Sequence, residues 1–418
     1  MTAAEKVKRA NERVMEIFLK ARPVWTDMRH AAEVIPGMKE NTILVPGPPI
    51  EPERIPAPVR TSICGAAVHE KLAKTTGEAW DMVLAGEIEI EPAQDHNCGC
   101  AACMVTSASM PVIVCEDMTS GGVGFSVPHP GPKPKVLRWG MYDEEVEADL
   151  EFFRDEYCAF LAEGVRASGG VDIIDVLSHT AGMGDENHNR QPAASMYLAL
   201  KLTPYLLEVD HPLKNRLICD FISNDRFFLN PMMAGVEAVT ASAKQVPHSS
   251  VMAGMGGNGV EFGIQLAGTG NRWYTTKAPL ILGTFLRPGY TVDDLLGYLG
   301  DSCVTEVFGL GGMSAIAGPS YVKLTGSTFE TARERTERAR AVSLGEHMFA
   351  PVPWDDWRGF PVGVDARRVV ALGVLPISHG GSALKTGGQA GAGAAELPME
   401  CFKKALIGLA GELKKEEE

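Results

Sequence analysis

The chain has 418 residues, 45% hydrophobic and 22% charged, with a formal net charge of -14; that is two to three domains' worth of chain with ample core. The acidic balance excludes the clustered Lys and Arg that nucleic acid or an anionic membrane surface requires, while leaving room for a small anion held by a few local cations. Nine scattered cysteines are no disulfide framework, and with neither a signal-like h-region nor a run of about 18 apolar residues the expected location is a reducing cytoplasm.

In chain order, Val7, Ala10, Val14, Ile17 and Phe18 recur at helical spacing, with Thr2 and Glu5 as a capping box and Pro23 as the stop, so the start is an amphipathic helix. The proline-rich stretch 24–60 predicts an extended connector or rim, and a helix follows over 61–74. The run MPVIVCE (110–116) is a buried strand by its β-branched content. A long amphipathic helix then carries Val146, Leu150, Phe153, Tyr157 and Phe160 on one face until Gly169 and Gly170 end it.

From 171 to 245 the pattern is mostly helical, and after 248 short apolar runs split by glycine take over, with VEFGIQLAGTGNRWYTT reading as a hairpin. The segment FETARERTERARAVSL is a charged helix, and the amphipathic LPMECFKKALIGLAGEL precedes a solvated KKEEE tail. The fold class is α/β or α+β in three parts. These are an N-terminal α/β part with its proline-rich connector (1–140), a helical subdomain in the middle (141–245) and a glycine-rich mixed α/β part (246–418).

The densest chemistry is GDENHNRQP at 184–192. Gly182 and Gly184 end one helix and Pro192 begins the next, which places the polar residues in the turn between. The free N–H groups of the second helix favour a bound carboxylate or phosphate, and Arg190 adds a bidentate fork. His188 exchanges protons near neutral pH, with Glu186 expected to orient it. As a turn residue His188 should contribute little to the core. The alternative is a capping and salt-bridging network joining two helices.

DHNCGCAACM sets Cys98, Cys100 and Cys103 beside His96, soft ligands enough for zinc or an iron–sulfur cluster if they converge. No second half of such a motif is present, so buried small thiols are the stronger reading and no metal is expected. Three glycine-rich loops (252–263, 308–318, 378–393) let backbone amides approach an anion, the last with Lys385. None fits a dinucleotide or phosphate-loop fingerprint. GDSCVTE adds Asp301, Ser302, Thr305 and Glu306; Asn230, Asn258, Asp365 and Arg60 are further polar positions that serve equally well as caps.

Taken together, RPVWTDMRHAAEVIPGM, GPPI, SASMPVIVCED, MGDENHNR, the FFLN run, VMAGMGGNGVEFGIQLAGTGNRWYTTKAP, GDSCVTEVFGLGG, GVDARRVV and GGQAGAG resemble, over nearly the whole chain, the bacterial oxamate carbamoyltransferase subunit family of anaerobic allantoin catabolism. The resemblance implies reversible carbamoyl transfer between oxalurate and phosphate, without a redox cofactor and with companion subunits of other families; a homo-oligomer is compatible with it. Such a reaction needs two anion sites in register, donors for an oxyanion and a proton donor. On the matched positions, His188 and Glu186 are the expected proton shuttle. Arg60, Arg190 and Lys385 are the expected anion holders, and Asn230 and Asn258 the carbonyl donors. His96, Asn189, Asp301, Glu306 and Gln389 complete the expected substrate site.

Two segments depart from the family pattern. AQDHNCGCAACM keeps only His96 of a proline-, cysteine- and histidine-bearing stretch, and SHGGSALK keeps Lys385 but has Leu384 where relatives have histidine, with His379 as the nearest substitute. The expected partners are therefore a small anionic N-carbamoyl or amide carboxylate and phosphate, with the acceptor open. A hydrolase of a related small amide and a non-catalytic scaffold subunit are the rival readings.

Overall fold

The amphipathic start becomes helix Ala3–Lys20, closed by the expected capping box: the Thr2 hydroxyl accepts from the Glu5 amide, and the Glu5 carboxylate accepts from the Thr2 amide. The protein is described by a computed structural model covering residues 2–415. Val7, Val14, Ile17 and Phe18 form the buried stripe of this helix, and Asn11 lies among them. The Asn11 carbonyl accepts from the Ser249 hydroxyl and the Ser250 amide, each at 2.9 Å, tying the start of the chain to its last third.

The stretch 24–60 is not an extended rim throughout. Pro23–His30 is a strand inside a five-stranded sheet, antiparallel to Pro111–Asp117 on one side and to Val171–Asp172 on the other, with a bulge between Trp25 and Asp27. Val24, Trp25 and Met28 supply its buried apolar residues. Pro23 takes the first strand position, where a missing N–H costs the ladder little. The helix expected from Thr61 begins at Ala57, because Pro58 fits a first turn. Helix Leu229–Ala243 packs on this sheet at backbone distance: a Cβ on Gly122 or Gly124 would strike the carbonyls of Ala238 and Ala234.

The middle segment is mostly helical, with the two-residue strand Val171–Asp172 and the irregular turn 184–191 among the breaks between its helices. Its long helix runs Glu144–Phe152, passes through one π turn at Phe153–Tyr157 and continues as Cys158–Ala167. Gly169 and Gly170 end it, both at positive φ. The largest apolar cluster extends from Val14 to Leu409 and draws on all three sequence segments.

Two of the three glycine-rich stretches are strands and not loops. Met252–Asn258 pairs with Glu261–Leu266, which pairs in turn with Tyr274–Lys277 in the expected hairpin. Ile377–Ala383 pairs with Gln389–Glu396. Their glycines permit close approach of neighbours: a Cβ on Gly256 would meet Asp301 and Gln94, and one on Gly257 the Tyr298 carbonyl. The stretch 308–318 is mostly the buried 3-10 turn Gly311–Ala317. Phe329–Val342 and Met399–Lys415 are the expected helices. The acidic end of the tail, 416–418, lies outside the described residues. Among the described residues no helix is long and apolar enough to cross a membrane.

Cys98, Cys100 and Cys103 lie in the second apolar cluster, and burial raises the thiols of Cys100 and Cys103. His96 turns away from them, its ring bonded to Glu91 (2.5 Å) and to the Pro36 carbonyl (2.9 Å). Among the described residues no group of three or more His, Cys, Asp or Glu side chains is arranged to hold a metal. Of the nine cysteines only Cys219 is exposed. A native-state titration with a disulfide reagent should therefore count one fast thiol per chain and the remainder only on unfolding; a second fast thiol would contradict this packing.

Candidate functional site

Glu186 organises the turn at 184–192. Its Oε1 accepts three consecutive backbone N–H groups, from His188 (3.2 Å), Asn189 (2.5 Å) and Arg190 (2.7 Å), while Asn187 takes positive φ to close the curve. Burial alone would raise this carboxyl, but the His379 hydrogen bond, the His379 and His188 rings and the Arg190 amide outweigh it and leave the carboxyl below its ordinary range. The N-terminus of helix Pro192–Glu208, expected to face a bound anion, is occupied by the chain's own Asp185, whose Oδ2 accepts from the Ala194 amide at 2.9 Å. Burial pushes Asp185 up to about 7. Arg190 faces Asp185 at 3.8 Å and is not an independent anion fork.

His188 is not the solvent-facing turn residue the sequence suggests; it is 1% exposed. Nor does Glu186 orient its ring. His188 Nδ1 lies 2.7 Å from Glu306 Oε1, and Nε2 lies 2.9 Å from Ser302 Oγ. A carboxylate only accepts, so Nδ1 carries the proton and Nε2 is free to accept from the Ser302 hydroxyl. The ring partner of Glu186 is His379, with Nδ1 donating to Oε2 at 3.0 Å and Nε2 accepting from Arg335 Nη1 at 3.1 Å.

Two relays result, Glu306–His188–Ser302 and Glu186–His379–Arg335, and they interlock. The His379 amide donates to Glu306 Oε1 (2.8 Å), as the His188 amide donates to Glu186. Gly311 and Gly318 leave room for the two carboxylates: a Cβ on Gly311 would collide with the Glu306 carboxyl, and one on Gly318 with Glu186 Cγ. Hydrogen bonds to a charged group are worth roughly 1.5–3 kcal/mol each, so these interlocked carboxylates fix both imidazoles in place.

Ser302 lines a polar cavity of about 30 Å3 together with Asn189, Arg138, Arg226 and Gln389. Arg138, Trp139, Arg226 and Gln389 also line a groove of about 580 Å3, so the cavity is the floor of a larger cleft. Among the described residues Arg138 has no ion-pair partner, and its buried Nε and Nη1 have no hydrogen-bond partner. Burial and the charge of Arg226 lower it to about 9. The same two arginines, added to burial, hold His129 at the groove well below its ordinary range. Both guanidinium groups line one groove, and although Asp225 also lines it, it is ion-paired to neither arginine among the described residues, which leaves a cationic wall suited to an anion. Asn189 Nδ2 is likewise buried and unpartnered beside Ser302.

The structure thus gathers Glu186, His188, Asn189, Glu306 and Gln389 around Ser302. Other expected site residues are engaged elsewhere. Arg60 stacks over Trp80 at 4.3 Å. Asn230 donates to Ser126 and the Val127 carbonyl, and Asn258 bonds the Pro48 carbonyl and the Val260 and Glu261 amides, so both carbonyl donors are structural pins. Lys385 is exposed, bonded to the Asp293 carbonyl in a separate groove with Lys277 and Lys404. Ser302, Arg138 and Arg226 were absent from the expected set. Ser302 alone had a local signal, its place in GDSCVTE four residues before Glu306.

Asp301 supports Ser302 from below. Its carboxylate accepts from the Gly47 amide (2.8 Å), Gln94 Nε2 (2.8 Å) and the Cys100 amide (3.2 Å), and burial raises it to about 7. Near it Glu237 is fully buried, with neither carboxyl oxygen hydrogen-bonded. Burial raises Glu237 to about 8; Asp301 and Asp95 push the same way, and the buried Lys244 opposes them.

Fold and site together define a mixed α/β protein carrying two buried Glu–His relays beneath a cationic cleft. A family model described as the oxamate carbamoyltransferase subunit AllG matches residues 88–302. The chain is 33% identical over 411 residues to the oxamate carbamoyltransferase subunit AllG of Escherichia coli (strain K12), covering 97% of this chain and 98% of that protein. It is 32% identical over 409 residues to the uncharacterized protein YahG of the same organism, covering 97% and 86%. The crystal structure of a conserved protein of unknown function from Enterococcus faecalis V583 matches with a TM-score of 0.94 at 32% identity, over 98% of this chain and 99% of that one. The chain belongs to the AllG family of oxamate carbamoyltransferase subunits.

Proposed function

We propose that the chain is a carbamoyltransferase subunit that moves a carbamoyl group between a small amide carboxylate of the oxamate/oxalurate type and phosphate, in a complex with companion subunits. The observation that carries this reading is the cleft whose mouth holds the unpaired Arg138 and Arg226 and whose floor is Ser302, backed by His188 and Glu306. Carboxylate and phosphate suit the arginines. The inner cavity holds about two waters, so only the reacting end of a substrate reaches Ser302 while its anionic end stays at the mouth. Asn189 Nδ2 is placed to donate to a developing oxyanion.

The test is carbamoyl phosphate formation from a panel of N-carbamoyl acids, with the chain alone and with its companion subunits. Turnover that requires phosphate supports the transferase; amide cleavage at the same rate without phosphate would make the protein a hydrolase. Arg138→Met should raise the KM for the anionic substrate by about 10- to 100-fold, the loss of one charged hydrogen-bonding pair. The same change should leave the melting temperature equal or higher, because it removes a buried guanidinium with no partner. A lower melting temperature with unchanged KM would assign Arg138 to the core.

A further inference from the structure

We infer that Ser302 is a covalent carrier: its Oγ takes the carbamoyl group from the donor as a carbamate ester before passing it to the acceptor. The inference deepens the transferase reading and rests on it for the identity of the donor, but not for the reactivity of Ser302. Three observations support it. Ser302 Oγ is in hydrogen-bond contact with a histidine nitrogen that its neighbours leave as an acceptor. The far side of that imidazole is held by a buried carboxylate, itself fixed by the His379 amide. The hydroxyl also lines the cavity that continues into the groove between Arg138 and Arg226, where a donor's leaving phosphate or carboxylate would sit. Nucleophile, base and orienting acid in this order are the arrangement that activates an otherwise weak alcohol.

The step balances without a further reactant. Ser302 Oγ attacks the carbamoyl carbon of carbamoyl phosphate, its proton passes to His188 Nε2, the carbon–oxygen bond to phosphate breaks, and the proton departs on the phosphate. The acceptor's amide nitrogen then attacks the ester carbon and gives a proton to His188, which returns it to Oγ as the carbon–Oγ bond breaks. Asn189 Nδ2 donates to the carbonyl oxygen in both halves. Glu306 transfers no proton; it holds the imidazole and balances its charge.

A suitable probe is 4-nitrophenyl dimethylcarbamate, which lacks the N–H needed to eliminate to an isocyanate and so labels only by direct attack. It would be incubated with the full chain, alone and in complex with its companion subunits. The expected result is a burst of about one equivalent of nitrophenolate per chain and a dimethylcarbamoyl adduct on the peptide containing Ser302. Ser302→Ala should remove burst and adduct and lower carbamoyl transfer by about a thousandfold or more. Ser302→Cys, which keeps a nucleophile at the same position, should retain the burst. An adduct on another residue, or a Ser302→Ala enzyme with normal turnover, would overturn the inference while leaving the transferase reading intact. Labelling of Ser302 in a protein that forms no carbamoyl phosphate would uphold the inference and remove the transferase reading.

Discussion

Glu306→Gln is expected to lower kcat by about three to four orders of magnitude, the scale seen when the acid of a nucleophile–histidine–acid relay is neutralised, with KM nearly unchanged. Glutamine keeps an acceptor for the His188 ring and the His379 amide, both of which use Oε1. The Oε2 position it converts to a donor has no partner to lose. What disappears is the negative charge that steadies the imidazole as it takes a proton. Glu306 touches no substrate, so it acts as a positioning residue and its signature is the split between kcat and KM. Steady-state kinetics beside a calorimetric melt check this. Retention of more than about a tenth of the activity would place His188 outside the chemistry.

His188→Ala, by contrast, is a poor probe. The ring is buried and bonded on both sides, so its removal leaves a void and takes from the buried Glu306 carboxylate one of its two hydrogen-bond donors, a loss of about 1.5–3 kcal/mol before the void is counted. Activity and stability would fall together.

Much of this site was legible in the sequence, because polar residues crowded between two helix-ending signals are locally unusual. GDENHNRQP exposed Glu186 and His188, and GDSCVTE exposed Asp301 and Glu306. Their pairing was not legible. The natural local reading joins Glu186 to the neighbouring His188, whereas the folded chain joins His188 to Glu306 and Glu186 to His379, contacts spanning 118 and 193 residues. Arg138 and Arg226 had no sequence signal, since an arginine between Leu137 and Trp139 reads the same whether it snorkels to solvent or faces a cleft. The glycine-rich runs misled for a related reason. Glycine marks close backbone approach, and in Met252–Asn258 the approaching groups are Asp301, Gln94 and the Tyr298 carbonyl of the protein itself. Pro23–His30 shows the converse: the prolines concentrated from Pro46 onward coloured the whole stretch to residue 60 and obscured a strand at its far end.

The second large effect concerns stability and pH. Glu237, Asp301 and Asp185 all have folded-state values raised by burial, to about 8, 7 and 7. A carboxyl in the unfolded chain titrates near 4. Between those limits the folded protein keeps protons that the unfolded chain has released, so stability should fall as pH rises from about 5 to about 8, by up to roughly 1.4 kcal/mol per pH unit for each such group. Lys244, lowered by its own burial, works in the opposite direction above its depressed value and offsets part of this fall. Glu237 should dominate, because Asp301 keeps three hydrogen-bond donors when ionised and Asp185 keeps the Ala194 amide, whereas the Glu237 oxygens have none. Glu237→Gln mimics the protonated form and should match wild type near pH 5 while gaining on the order of 2–4 kcal/mol near pH 8. Denaturant unfolding of both proteins across that range reads the difference directly. Parallel curves would mean that Glu237 ionises in the folded state at little cost, through water or a closer approach of Lys244.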